Sequence, residues 1–169
     1  SEVTPYTAYL LSEVCKEIDF PKGVLNIVHG LGHKVGEAIS AHPDTPVISF
    51  TGGTVTGAKI AKVAAPMFKK LSLELGGKNP NIIFADADFD QALEMAVKAS
   101  FRNQGQICLC GSRLLVEKSI FEKFKLAFVE KTKELKVGDP KENNDLGAVV
   151  SKSHMNKILE KIELAKTEG

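Results

Sequence analysis

Short apolar runs alternate in this chain with helix-length amphipathic stretches, and glycines mark the junctions. No other feature limits the possible folds as much. Val47-Ile48-Ser49-Phe50 has the length and β-branched content of a buried strand, and it runs into Thr51-Gly52-Gly53-Thr54. Helical spacing follows from about Thr56 to Phe68, and Leu71 to Leu75 reads as the next strand. Upstream, Thr4-Pro5 predicts a helix start with a capping hydroxyl. Leu10, Leu11, Val14 and Ile18 carry that helix forward, and Val24 to Val28 predicts a strand entering Gly30-Leu31-Gly32. A second helix is expected from Lys34 to Ala41. Helix and strand are thus expected to alternate through the first 75 residues, which points to crossover connections and a parallel sheet.

Gly76-Gly77 punctuates the chain, and the same grammar resumes beyond it. Asn81 to Phe84 predicts a strand, and Asp88 to Arg102 a helix with Ala92, Met95, Ala96 and Ala99 on one side. Leu114 to Val116 predicts a strand, Ile120 to Leu135 an amphipathic helix, 138–145 a polar loop, and Lys152 onward a last helix. The expected organisation is α/β, with parts of two parallel-sheet domains, 1–76 and 77–169.

The 22 basic residues nearly balance the 21 acidic ones, for a net charge of +1, and Arg102 and Arg113 are the only arginines. Such a chain has no basic stripe to follow a phosphate backbone, so nucleic acid is not an expected partner. No apolar run approaches the roughly 20 residues of a membrane span, so no membrane association is expected either. Ser1-Glu2-Val3-Thr4-Pro5 carries neither a basic start nor an apolar signal core. Three cysteines, an odd number, argue against a disulfide framework and for a reducing compartment, with the cytoplasm as default.

Two strings carry the chemistry. Leu73-Glu74-Leu75-Gly76-Gly77-Lys78-Asn79-Pro80 presents a carboxylate at a strand end, and Asn103-Gln104-Gly105-Gln106-Ile107-Cys108-Leu109-Cys110-Gly111 presents a thiol. A thiolate attacks carbonyl carbon, and a carboxylate reaching the same atom activates water behind it. Each has a plainer reading. Cysteine is often a small buried hydrophobe, and Cys15, beside Val14 and a turn from Leu11, fits that reading. Cys108 lies instead among Gly, Gln and Asn after a long helix, where solvent and backbone N–H groups favour thiolate. Glu74 could be the solvent-facing member of an alternating strand, but the two glycines after it allow close backbone approach to a ligand. A metal site at Cys108 and Cys110 has no second ligand pair at zinc spacing, and His29 and His33 are separated by glycines. A Cys108–Cys110 disulfide would be strained.

Gly52-Gly53-Thr54-Val55-Thr56-Gly57 between strand and helix is the arrangement of an anion-cradling turn. It is not a P-loop, since Gly57 is followed by Ala58 and Lys59 rather than Lys and Ser or Thr. Gly30, Gly32 and Gly36 overshoot the Gly-x-Gly-x-x-Gly spacing by one residue.

Both chemical strings resemble the two signature motifs of the aldehyde dehydrogenase superfamily, in its order and spacing. The resemblance covers essentially the whole chain and places it in the middle third of a longer subunit. It implies a Rossmann-like cofactor domain over 1–76, its later part, and the first part of the catalytic domain over 77–169. It implies NAD as cofactor, a small-molecule aldehyde as substrate, Cys108 as nucleophile and Glu74 as general base. Cofactor contacts are implied at Glu2, Gly30, Gly32, Gly52, Gly53, Thr54, Gly57, Leu75 and Gly76. Many superfamily members carry serine at the position of Gly53, so this chain departs there. The strings are most similar to a branch that oxidises a muconic-type semialdehyde. The parent is expected to be a homo-oligomer, dimer or tetramer. The family's oxyanion asparagine is expected before Ser1, and its Glu-x-Phe-Gly-Pro segment after Gly169. Two other readings stay open: an acyl transferase to coenzyme A, which Glu74 disfavours, and a truncated, non-catalytic fragment or paralogue serving as an interaction module.

Overall fold

A proline in the first turn sets where the first helix begins. The computed structural model describes all residues, Ser1–Gly169, and helix α1 spans Tyr6–Glu17. Pro5 takes helical angles and becomes the cap, accepting from the Tyr9 N–H at 3.0 Å. The expected hydroxyl cap from Thr4 therefore does not form, because the capping position has moved to a residue without a polar side chain. At the other end Asp19 adopts φ 50°. The Phe20 N–H then reaches the Cys15 carbonyl at 2.8 Å, and the Asp19 N–H reaches Lys16 at 3.3 Å. That pair of bonds is the Schellman closure of a helix, with Asp19 in the position glycine usually takes. Cys15 is half-buried on α1.

The strand expected over 24–28 is absent. A strand exists only through a ladder with a neighbour, and this segment pairs with nothing. The helix expected from Lys34 is present, but its first turn is a wide π turn, Gly32–Gly36, before α2, Glu37–Ala41. Strand β1 (Val47–Gly52), helix α3 (Thr54–Ala64) and strand β2 (Lys70–Leu75) form one β–α–β crossover. The strands run parallel with Val47 opposite Lys70 and Gly52 opposite Leu75. Helix α3 ends four residues short of Phe68 because Pro66 has no N–H to donate; a single 3₁₀ turn, Ala65–Met67, follows. Ile48 and Ala64 are buried here. The Lys69 ammonium fastens this unit by donating to the carbonyls of Ser40 and His42 and to the Thr45 hydroxyl.

The chain separates into two compact units, Ser1–Gly76 and Gly77–Gly169. In the second, β3 (Pro80–Ile83) pairs in parallel with β4 (Arg113–Val116). Helix α4 (Phe89–Phe101) starts where the Asp88 carboxylate accepts from the Gln91 N–H at 2.9 Å. Its buried side is Ala96 and Val97, flanked by Ala92 and Leu93. Met95, expected in that face, is 54% exposed, because 100° per residue carries it away from 93, 96 and 97. Helix α5 (Phe121–Lys133) supplies Phe124, the largest fully buried side chain, which packs on Ile83 and Ala96. Phe89 meets Phe124 edge-on at 5.7 Å. Burying one such ring contributes about 1.5–3 kcal/mol. After β4 the Glu117 carboxylate accepts from the Ala85 N–H at 2.8 Å and the Ser119 hydroxyl at 2.7 Å. Those two donors hold its carboxyl below the usual range, the Ser119 bond most. A 3₁₀ turn, Pro140–Glu142, lies in the polar loop, and α6 (Lys152–Glu168) begins with Ser151 accepting from the His154 N–H. No helix is long and apolar enough to cross a membrane.

Candidate functional site

In the first unit, the backbone after α1 returns to its start and leaves a cleft of about 410 Å³. Glu2, Gly30 and Gly32 line it, together with Pro5, His29 and Ile39. Glu2 and the sequence-distant pair Gly30 and Gly32 therefore share one cavity. Gly30 is where the walls meet: a Cβ there would overlap the Val35 side chain.

The β1–α3 turn holds four more candidates. Gly53 occupies the capping position of α3 and its carbonyl accepts from the Thr56 and Gly57 N–H groups, each at 3.0 Å. No side chain caps the helix. The N–H groups of Thr54 and Val55, ahead of those two bonds, are thus free for an anion, which the helix dipole also favours. Gly52 and Gly57 set the shape by what they lack. A Cβ on Gly52 would lie 2.5 Å from the Phe50 ring, and one on Gly57 would lie 2.7 Å from a Leu75 methyl. Leu75 and Gly57 are therefore in direct contact, the strand end against the helix start.

Glu74 stands opposite Thr51 in the sheet and points away from Leu71, Leu73 and Leu75, which are half-buried. Within its own unit it faces solvent. Gly76 has no atom near enough to crowd a Cβ and does not take a positive φ, so openness rather than turn geometry is what glycine gives at that position.

In the second unit, Cys108 is exposed and Cys110 buried. Ahead of them three consecutive residues are left-handed, Asn103 (φ 52°), Gln104 (φ 55°) and Gly105 (φ 70°). For the two that are not glycine this costs about 1–2 kcal/mol each. Hydrogen bonds from the surroundings hold the turn. The Asn79 side-chain amide donates to the Cys108 carbonyl at 2.6 Å and to the Cys110 carbonyl at 3.4 Å. The Gly111 N–H reaches the Ala99 carbonyl at 3.1 Å, and the Ser100 hydroxyl donates to the Gly111 carbonyl at 3.2 Å. Cys110 Sγ lies 3.8 Å from the Arg102 carbonyl, as a weak donor. Gln104, with its amide oriented to satisfy its neighbours, donates to Asn103 at 2.9 Å and accepts from the Gly147 N–H at 3.3 Å. Gln106 meets His154 Nε2 at 3.2 Å. Sequence reasoning assigned Asn79, Ser100 and His154 no part in this turn; only the Asn-Pro that closes the carboxylate string marked Asn79.

The residues present fit a dinucleotide. A cleft lined by a carboxylate and two glycines and a helix start with uncommitted N–H groups lie in the same unit.

The sequence signature described as "Aldehyde dehydrogenase family" matches residues 1–169. Among curated relatives, 2-aminomuconic semialdehyde dehydrogenase of Danio rerio is 51% identical and that of Homo sapiens 48%; each alignment spans all of this chain and 35% of the relative. The chain thus spans about a third of the length of these relatives. Among solved structures, betaine aldehyde dehydrogenase from Staphylococcus aureus in complex with NAD⁺ is 44% identical with a TM-score of 0.94, over all of this chain and 34% of that one. HpcC from Thermus thermophilus is 42% identical with a TM-score of 0.97, covering all of this chain and 33% of its own. An exposed thiol on a braced turn and a glycine-built cleft agree with that match along the whole chain, and the chain belongs to the aldehyde dehydrogenase family.

Proposed function

We propose that this chain is the part of an NAD-dependent aldehyde dehydrogenase that carries its nucleophile and general base. The observation that carries the reading is the exposed Cys108 thiol on a turn whose backbone is held from outside it. Cys108 thiolate attacks the aldehyde carbon and forms a thiohemiacetal, whose oxyanion the Cys108 N–H helps to hold. NAD, when bound, supplies the acceptor for the hydride that leaves that carbon. The thioester on Cys108 is then hydrolysed by a water from which Glu74 takes the proton, releasing the acid and the thiol.

For the cofactor, residues 1–76 serve as the later part of the binding domain. Glu2, Gly30 and Gly32 would hold the adenosine end, and the turn with Gly52, Gly53, Thr54 and Gly57 the pyrophosphate. Leu75 and Gly76 would border the nicotinamide. Residues 77–169 serve as the first part of the catalytic domain. The relatives at 46–51% identity include four vertebrate enzymes named for 2-aminomuconic semialdehyde, which supports a muconic-type semialdehyde as substrate. A reducing compartment such as the cytoplasm suits an exposed nucleophilic thiol, and family resemblance supports a homo-oligomeric parent.

The test uses the full-length enzyme. Cys108→Ala is expected to abolish NADH formation, a fall of at least about 10⁴-fold, as expected when a nucleophile is removed. Glu74→Gln is expected to keep a pre-steady-state burst of NADH and to lose steady-state turnover. A muconic-type semialdehyde is expected to give a higher kcat/KM than betaine aldehyde. Full activity in Cys108→Ala would sink the mechanism; no NADH formation by the wild-type full-length protein would leave the interaction-module reading; a reversed substrate order would sink only the substrate assignment.

A further inference from the structure

An exposed side chain gets little guidance from packing, so its direction is set by its backbone. Cys108 is such a residue, and Leu109 beside it is 81% exposed. Among the bonds that brace this turn, the one to the Cys108 carbonyl itself comes from an amide. The half-buried Asn79 donates through Nδ2 to both the Cys108 and the Cys110 carbonyl, spanning the segment that carries the thiol. Asn79 is itself gripped. The Arg113 N–H donates to its carbonyl at 3.1 Å, and Arg113 Nε donates to the Lys78 carbonyl at 3.0 Å. Strand β4 therefore anchors Lys78-Asn79, and Asn79 anchors the nucleophile turn. Behind the turn, a Cβ on Gly111 would stand 3.0 Å from the Asn81 side chain, so this wall is already in contact.

We infer that Asn79 is a positioning residue for Cys108: its amide fixes the peptide that carries the nucleophile and so sets the direction of the thiol. Asn79 does not touch the reacting atoms. Its effect passes through the carbonyls it holds, in a turn that two left-handed non-glycine residues would otherwise let relax. The inference rests on the proposed role of Cys108 as nucleophile.

The experiment uses the full-length enzyme with Asn79→Asp and Asn79→Ala. Aspartate keeps the shape but turns a donor toward two carbonyls into an acceptor, so it is the harsher change. A displaced reacting group of this kind lowers turnover by up to about 10²-fold. The expected result is kcat lower by about 10- to 100-fold in Asn79→Asp and less in Asn79→Ala. The NAD KM is expected to stay unchanged, because the cleft and the glycine turn lie in the other unit. The second readout needs no catalysis: the rate of Cys108 alkylation by iodoacetamide, followed by mass spectrometry, is expected to change in the same order. Wild-type alkylation and acylation rates in both variants would overturn the inference. If Asn79→Asp does not fold, Asn79→Ala decides alone by the same two readouts. A Cys108→Ala control separates the two claims. Activity surviving in that control removes the nucleophile reading, whereas wild-type rates in the Asn79 variants with a dead control remove only the positioning role.

Discussion

The two glycine-marked turns of this chain are built by opposite means. The β1–α3 turn has no side-chain cap; its form comes from missing Cβ atoms at Gly52 and Gly57 and from the Gly53 carbonyl. The Cys108 turn is shaped by side chains reaching in, from Asn79 and Ser100, and by Gln104 bonding to Gly147. The difference follows from what each delivers. A turn that receives an anion must leave its N–H groups unpaired until the anion arrives. A turn that presents one sulfur atom must commit its backbone beforehand, since any freedom there becomes misdirection of the thiol. Adding atoms at the crowded Gly52 or Gly57 should therefore damage the first turn, and disturbing its bracing should damage the second.

The largest effect sought from this contrast is at Gly105. It takes φ 70°, and a Cβ there would lie 3.1 Å from the Ser100 carbonyl, a backbone atom with little room to give. Gly105→Ala in the full-length enzyme is expected to cost about 1–2 kcal/mol of stability from the left-handed angle alone. Its kcat is expected to fall by at least about tenfold, with the affinity for NAD retained. Thermal unfolding and steady-state kinetics check both. A fall in NAD affinity as large as the fall in kcat would break the separation between the two turns.

This division was only partly legible in the sequence. The β1–α3–β2 crossover could be read because strand length, glycine punctuation and helical period are all local. Residues 24–28 misled because their composition is that of a strand, whereas being one depends on a partner, and none pairs with them. Cys108 stood out by its polar, glycine-rich setting. Asn79 did not, because what it holds is 29 residues away and no local pattern encodes that contact. Asn103 in a left-handed angle suits a short amide side chain. The same angle at Gln104 has no sequence signal and is understood only from the Gly147 N–H that its amide meets. The cleft at Glu2, Gly30 and Gly32 was reached through family resemblance; the glycine spacing taken alone did not suffice.

A smaller effect is expected at Gly57, where atoms are added to the receiving turn. Alanine improves an interior helix position by about 0.5–1 kcal/mol over glycine. The new Cβ, at 2.7 Å from a Leu75 methyl, forces that side chain to turn, and a leucine end can turn at modest cost. The two terms oppose each other, so the melting temperature of Gly57→Ala is expected to stay near the wild-type value. The NAD dissociation constant is expected to rise several-fold, because Leu75 is the proposed border of the nicotinamide. An unchanged dissociation constant with a lower melting temperature would make this contact structural only.

The smallest effect is at Gly53, and it tests the sign of the comparison. No atom lies within 4 Å of a Cβ built there, and its angles, φ −73° and ψ 145°, are open to any residue. Serine therefore fits without displacing anything. At the capping position of α3 its hydroxyl can accept from an N–H of the first turn, worth only a few tenths of a kcal/mol over glycine. The same hydroxyl can instead donate to a bound pyrophosphate, and a helix start with an anion present favours that use. Gly53→Ser is expected to raise the melting temperature slightly and to tighten NAD binding by about two- to fivefold, on the scale of one net hydrogen bond. Titration calorimetry of the full-length enzyme gives the sign. Weaker binding would mean that the serine hydroxyl takes the helix N–H groups for itself, and that this turn works because glycine leaves them alone.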